Sequence, residues 1–126
     1  MTQKIKYSFE DLNVWRDSVE LVKLVNEFTE EISKSRSHYR LIQQLEAAVA
    51  SVPANIAEGK GRFSKKEFIQ FLYIARGSLF ETITFLAVFK EMNLIDENRL
   101  DLLRAKGDEI GKKLSSLITS LKKSLS

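Results

Sequence analysis

The sequence contains no cysteine, one histidine, one proline and five glycines among its 126 residues. Without cysteine the chain can form neither disulfides nor thiolate metal sites. The single histidine, His38, excludes the common zinc ligand sets, the Ser–His and Cys–His nucleophile pairs and the paired Glu-x-x-His motifs of di-iron bundles. His38 lies beside a basic segment, and we expect it to be an exposed polar residue rather than a base. These absences predict a protein that is not an enzyme and that holds no cofactor and no metal.

Long apolar runs are also absent. No stretch approaches the roughly 18 consecutive apolar residues that a membrane span needs, and no such run follows the N-terminal lysines as it would in a signal peptide. The hydrophobic fraction of 44% is too high for a disordered chain, and 126 residues is the usual size of one domain. We therefore expect one cytoplasmic domain over residues 1–126, with no membrane contact.

Three short breaks divide the sequence into four segments whose apolar residues follow helical spacing, at about 8–32, 38–58, 64–93 and 97–123. Ser64 followed by Glu67 is a capping box at the start of the third segment. Asn93 marks the end of that helix, and Asp96 is the N-cap of the next one. Four helices joined by short loops predict an all-α protein, an antiparallel up-down-up-down four-helix bundle.

The second segment is irregular at Pro53. Proline inside a helix removes one backbone donor and crowds the carbonyl of Val49, which costs about 3 kcal/mol. Because helical spacing continues through Ile56, we expect a kink at Pro53, with the helix resuming to Glu58. Gly59 and the glycine two residues later are then expected to end it.

The third segment carries two apolar stripes, one of which includes Ile74 and Phe85. So wide an arc predicts a helix that is buried on more than one side. Glu81 falls within the second stripe, where a charge is costly unless it is paired. We expect it to be structural and to meet a partner either across a subunit interface or across the hairpin, at Arg40, Gln43 or Gln44.

Glu81 belongs to a group of polar residues at helical spacing, which predicts the structural polar motif Asn55, Glu58, Arg76, Ser78 and Glu81. A carboxylate pair such as Glu58 and Glu81 could do acid–base chemistry. Buried acids paired with amides, hydroxyls or Arg76 are the favoured interpretation.

The net charge of +3 is unevenly distributed along the chain. Residues 33–66 carry seven basic and two acidic side chains, and residues 112–126 carry four lysines and no acid. Such blocks attract anionic partners, although they also suit a solvated surface that keeps a protein soluble. The candidate nucleic-acid-binding residues are Arg36, Arg40, Lys60, Arg62, Lys65, Lys66, Lys112, Lys113, Lys122 and Lys123. Only Tyr39 and Phe63 lie among them, so the sequence gives base stacking weak support.

The segment from Ser51 to Gly59 reads SVPANIAEG. It resembles the signature of the four-helix bundle family encoded in bacterial 23S ribosomal RNA intervening sequences. The similarity continues as far as Glu81 and includes the opening Phe9, Leu12 and Trp15. The segment 33–37 departs from the aromatic or Pro-Glu turn that the family often has after its first helix.

This resemblance implies a cytoplasmic homo-oligomer, often a pentamer, with no catalytic residues. A related branch of the family resembles the accessory proteins of diversity-generating retroelements, which are basic and work with nucleic acid and a reverse transcriptase. Two functions stay open. The first is an RNA-associated oligomer that contacts ribosomal or other structured RNA through its basic patches. The second is a scaffold or accessory factor whose partner is a protein, for example a reverse transcriptase, without direct RNA recognition.

Overall fold

Four long α-helices dominate the computed structural model, which describes residues 4–35 and 37–125. They are α1 (Asn13–Ile32), α2 (Tyr39–Lys60), α3 (Lys65–Glu91) and α4 (Glu97–Lys123), with short 3-10 turns at Ser8–Asp11 and Ser33–Ser35. The described part of the chain contains no β-strand. Each helix packs on the next one in the chain, and α1 also packs on α4, which closes the ring. The predicted all-α, up-down-up-down bundle is confirmed.

The core consists of one buried stripe from each helix. Toward the end of the bundle where α1 and α3 finish, the rings of Phe28 and Phe89 meet edge to face, with their centroids 5.8 Å apart. The other large, fully buried side chains are aliphatic and come from all four helices: Leu21, Val25, Leu45, Ile56, Leu72, Leu79, Leu86, Leu103, Ile110 and Leu114. Their burial is the main favourable contribution to folding.

Local hydrogen bonds fix the ends of α3 and the start of α4. The Ser64 hydroxyl accepts the Glu67 backbone N–H at 3.2 Å, and the Asp96 carboxylate accepts the Arg99 backbone N–H at 2.7 Å. Both predicted N-caps are therefore confirmed. At its other end α3 stops at Glu91, and two residues later Asn93 adopts the left-handed conformation (φ 59°). The next backbone N–H then returns to the Phe89 carbonyl at 2.9 Å.

Besides the end of α3, which lies two residues before the predicted position 93, two helix boundaries differ from the prediction. The first helix begins later, because Leu12 is extended (φ −77°, ψ 121°) and separates the first 3-10 turn from α1. The second helix ends later, because α2 continues through Pro53 and Gly59 to Lys60. Gly59 is buried inside the helix, and a Cβ there would lie 2.6 Å from the Cβ of Phe71. Glycine at this position therefore permits the close approach of α2 and α3, rather than ending the helix. The bend at Pro53 stays a prediction.

The helix α3 is buried on one side only, so the prediction of burial on more than one side is wrong. Its second apolar stripe is only partly covered: Ile74 is 51% exposed and Val88 is 36% exposed, whereas Phe85 is half-buried against the core. By length and composition alone α3 could cross a membrane. In the bundle, 28% of its most apolar stretch is buried. One such helix is weak evidence for a membrane span, because core helices of soluble proteins pass the same test. A single bundle therefore leaves apolar surface on α3 uncovered.

Candidate nucleic-acid interface

Most of the predicted phosphate-binding residues gather at one end of the bundle. In this antiparallel arrangement α2 ends, α3 begins and α4 ends at the same place. The residues brought together there, which we call the basic end, are Lys60, Arg62, Lys65, Lys66, Lys122 and Lys123. All six are exposed. Two blocks that lie far apart in the sequence thus form one basic surface.

Three cations of the basic end lie against aromatic rings. The Arg62 guanidinium lies 4.7 Å from the centre of the Phe71 ring and forms an ion pair with Glu58 at 2.9 Å. The Lys60 ammonium lies 5.9 Å from the Phe68 ring centre, and the Lys122 ammonium lies 5.1 Å from that of Tyr73. Such contacts orient a cation while its charge still faces water. Lys65 and Lys66 are exposed, and neither has a described side-chain partner.

The remaining candidates lie elsewhere. Arg40 is in the first turn of α2, at the opposite end of the bundle, and Arg36 lies outside the described residues. Lys112 is in the middle of α4, where its ammonium lies 3.0 Å from the Asp108 carboxylate. Lys113 contacts Glu109 at 3.4 Å and also contacts Asp17 of α1. The Asp108–Lys112 and Glu109–Lys113 contacts are i,i+4 ion pairs within α4.

Asp17 is the centre of an ion-pair network between α1 and α4 that the sequence did not indicate. Its side chain is 19% exposed and contacts both Lys113 and Lys106, the latter at 3.5 Å. Burial alone would raise the pKa of Asp17. The hydrogen bond from Lys113 and the positive charges of Lys106 and Lys113 outweigh that effect, so the pKa of this carboxyl lies below its usual value. Lys113 is therefore engaged in helix packing, which leaves it less available to an external anion.

The predicted structural polar motif forms only in part. The Asn55 amide donates to both the carbonyl and the hydroxyl oxygen of Ser51, at 2.8 Å each, and the Ser51 and Ser78 hydroxyls are also 2.8 Å apart. Ser51 thus joins Asn55 on α2 to Ser78 on α3. The sequence pattern did not predict this link, although Ser51 lies one helical turn before Asn55. Arg76 is not part of this link; its guanidinium donates to the Ser115 hydroxyl of α4 at 3.2 Å.

The two acids of the motif are exposed, so the prediction that they are buried is wrong. A partner for Glu81 across a subunit interface stays a prediction. Glu58 pairs with Arg62 at the basic end. Glu81 has no hydrogen-bonding or ionic partner among the described residues, because the stripe that contains it points outward. Glu58 is next to Gly59, which lies against Phe71. Glu81 is ten residues further along α3 than Phe71, a distance of about 15 Å. The two carboxylates therefore do not form an acid–base pair.

A flat, charge-poor surface lies on either side of the Ser51–Ser78 contact. Residues 47–57 contain no charged side chain, and residues 68–89 contain only Arg76 and Glu81. We call this surface the α2–α3 face; its exposed residues are Ala47, Ala50, Ala54, Ile74, Gly77, Glu81 and Val88. A Cβ at Gly77 would meet no atom within 4 Å. Packing inside one bundle therefore does not require glycine at position 77, although glycine weakens a helix.

Side chains that could ligate a metal ion are dispersed over the described part of the chain. Within residues 4–35 and 37–125, no three His, Asp or Glu side chains form a cluster that could hold a metal ion. His38 is exposed at the start of α2, as predicted, in a left-handed conformation (φ 62°).

Comparison with known proteins shows similarity to one family model and to solved structures. A family model described as 23S rRNA-intervening sequence protein matches residues 10–116. Among solved structures, the chain is similar to a protein of unknown function from the S23 ribosomal protein family of Bacteroides thetaiotaomicron VPI-5482, with a TM-score of 0.80 and 24% sequence identity. That similarity covers 84% of this chain and 95% of the other. At this identity it shows the fold alone. No curated protein matches the sequence.

Proposed function

Since this chain belongs to the 23S rRNA-intervening sequence protein family, we propose that it is a non-enzymatic, cytoplasmic homo-oligomer that binds structured RNA through its basic end. The observation that carries the proposal is the gathering of six exposed lysine and arginine side chains at one end of the bundle. Contacts of this kind with phosphates supply most of the sequence-independent affinity for nucleic acids. The family description names ribosomal RNA, which makes RNA the anion to test first.

A non-enzymatic role agrees with the chemistry of the side chains. The chain has one histidine, which is exposed, and no cysteine. Glu58 and Glu81, the carboxylates that could have acted together, are separated along the bundle. The absence of cysteine also agrees with a cytoplasmic location, where thiols stay reduced and disulfides contribute little.

Self-association is supported by the α2–α3 face. Exposed apolar side chains with few charges are unusual on a monomer and typical of interfaces. Five copies is the number that the family resemblance suggests. A ring would repeat the basic end around one axis, so that several weak phosphate sites act together. RNA would then bind more tightly than the net charge of +3 per chain suggests.

The test is binding of a fluorescein-labelled RNA hairpin, measured by anisotropy between 50 and 200 mM KCl. We expect the triple variant Lys60→Glu, Lys65→Glu, Lys66→Glu to lose at least about tenfold in affinity and to show a shallower salt dependence, because phosphate contacts are lost. Arg62 stays unchanged, which preserves its ion pair with Glu58.

The matched control reverses three exposed cations away from the basic end: Lys23→Glu, Lys34→Glu and Arg40→Glu. It changes the net charge by the same amount, so a general charge effect would weaken binding equally in the two variants. Equal weakening, or binding that survives the basic-end variant, rules out the proposed interface.

A protein-binding scaffold is the second candidate, and the α2–α3 face favours it because such a surface also suits a protein partner. If no RNA binds even at 50 mM salt, this function replaces the first. Copurification with a defined protein, such as a reverse transcriptase from the same organism, then tests it.

A further inference from the structure

A groove of about 670 Å³ runs between α3 and α4, on the opposite side of α3 from α2. Its volume lies within the range of ligand-binding clefts. Its floor is apolar and its rim is basic; the residues that matter here are Phe80, Ile83, Arg76, Arg104, Lys112 and Ser115. The basic end does not include this groove.

Two glycines of α4 explain the groove's shape. A Cβ at Gly107 would lie 2.8 Å from the Cδ1 atom of Ile83, and a Cβ at Gly111 would lie 3.4 Å from a methyl group of Leu79. The two helices thus approach closely, and at Gly107 and Gly111 α4 presents no side chain toward α3. The floor beside Phe80 is left open as a result.

Three cations border this floor. Arg76 is held in place by its hydrogen bond to Ser115, and its guanidinium lies 5.0 Å from the ring centre of Tyr73. Arg104 is exposed and has no partner among the described residues. Lys112 pairs with Asp108, the one acid that lines the groove. The lining therefore carries a net charge of +2, which suits an anionic occupant.

Phe80 supplies the surface on which a base can stack. Its side chain is 59% exposed, and its ring has no aromatic or cationic partner among the described residues. A shallower groove shares Ser115 and Ser116 and continues to Thr119, Ser120 and Lys123. From Arg104 to Lys123 the two grooves follow α4 for about 28 Å, and they end at the basic end.

We infer that this α3–α4 groove binds a single-stranded segment of RNA, with one unpaired base stacked on Phe80 and neighbouring phosphates bound by Arg76, Arg104 and Lys112. A positively charged groove with aromatic stacking positions is how proteins bind single strands. An extended peptide fits less well, because helical walls offer no free backbone groups for it to pair with. The inference rests on the proposed function, which it extends from structured RNA to the unpaired strand beside it.

The experiment compares two labelled RNAs on the full-length chain: an unstructured 12-nucleotide strand and a blunt hairpin. We expect Phe80→Ala and Arg104→Gln each to weaken binding of the single strand about tenfold, with less than about twofold change for the hairpin. Phe80→Trp should keep the affinity, because it keeps a stacking ring.

Tyr39→Ala and Arg40→Gln are the matched controls; they change an exposed aromatic residue and an exposed arginine at the far end and should have no effect. All four positions are exposed, and thermal melts verify that each variant folds.

The outcomes separate the two proposals. If the hairpin binds at the basic end but Phe80→Ala leaves single-strand affinity unchanged, the groove inference is wrong and the proposed function stands. Equal losses for both RNAs also overturn it, because the groove would then not distinguish single strands. If polyglutamate displaces the single strand as well as unlabelled RNA does, the groove is a general anion site and the inference fails. If neither RNA binds, the proposed function has failed as well.

Discussion

At the scale of single residues, two helical glycines have opposite environments. Gly59 lies against the Cβ of Phe71 and has no room for a side chain, whereas Gly77 faces open space. We expect Gly59→Ala to lower the free energy of unfolding by about 1–3 kcal/mol, because α2 and α3 must separate to accommodate the methyl group. Urea denaturation measures this.

Gly61→Ala is the control for that change. A Cβ at Gly61 would lie no closer than 3.6 Å to its neighbours, an ordinary contact. The free energy of unfolding of Gly61→Ala should differ from the parent's by less than about 0.5 kcal/mol, as for most surface substitutions. If both alanine variants unfold at the same urea concentration, the α2–α3 contact at Gly59 is less tight than described.

Asp17 gives the fold a dependence on pH. Its pKa is lower in the folded state, so its contribution to stability is fully present above the unfolded-state value of about 3.9 and is lost as pH falls through the folded-state value. We expect Asp17→Asn to lose stability at pH 7 and to show a smaller further loss at pH 3 than the parent does. Asp101→Asn, at an exposed position without a described partner, should follow the parent. Parallel curves for all three proteins would contradict this role of Asp17.

At the scale of elements, the N-cap of α3 can be tested directly. Ser64→Ala removes the acceptor of the Glu67 backbone N–H and should cost about 1 kcal/mol. Ser64→Asp supplies another acceptor at the same place and should restore most of that loss. A Ser64→Ala protein that melts at the parent's temperature would show that water replaces the cap at no cost.

The apolar spacing was sufficient to predict four helices and their order, because each helix buries a regular stripe. In α3, however, an exposed apolar stripe and a buried one have the same spacing. Only the positions of α2 and α4 decide which stripe is covered. Glu81 was misplaced for that reason.

The sequence pattern also could not predict the contacts between helices. Ser51 and Ser78 meet across 27 positions, and the groove joins Phe80 to Arg104 across a helix boundary. Few aromatic residues are neighbours of the basic ones along the chain. In three dimensions Tyr73 and Phe80 lie among Arg76, Lys122 and the other cations.

At the scale of the whole molecule, a substitution at Gly77 should affect folding stability and self-association in opposite directions. Gly77→Ala should stabilise the isolated fold by about 0.5–1 kcal/mol through helix propensity, since nothing crowds the new methyl group. If a second copy packs closely against the α2–α3 face, the same change should weaken self-association. Sedimentation velocity over a range of concentrations, combined with urea unfolding, measures both effects.

A larger side chain with a charge tests the effect on self-association more directly. Ala54→Arg places a charge on the α2–α3 face, and Ala105→Arg places one at an exposed alanine of α4 outside it. The first should yield monomers and the second should not. A parent chain that sediments as a monomer at micromolar concentration, or equal behaviour of the two variants, would remove the α2–α3 face as a contact between copies.

An even number of antiparallel helices returns the chain to the end from which it started, so α1 begins and α4 stops near the basic end. An affinity tag fused to either terminus would therefore sit beside the surface whose RNA affinity is to be measured, and a tag rich in charge would distort the result. The turn between α3 and α4 lies at the far end and is a better attachment point. Because the chain has no cysteine, Glu91→Cys would introduce a unique thiol there. A fluorophore or a surface linkage at that thiol would hold the protein by its far end and leave the basic end free.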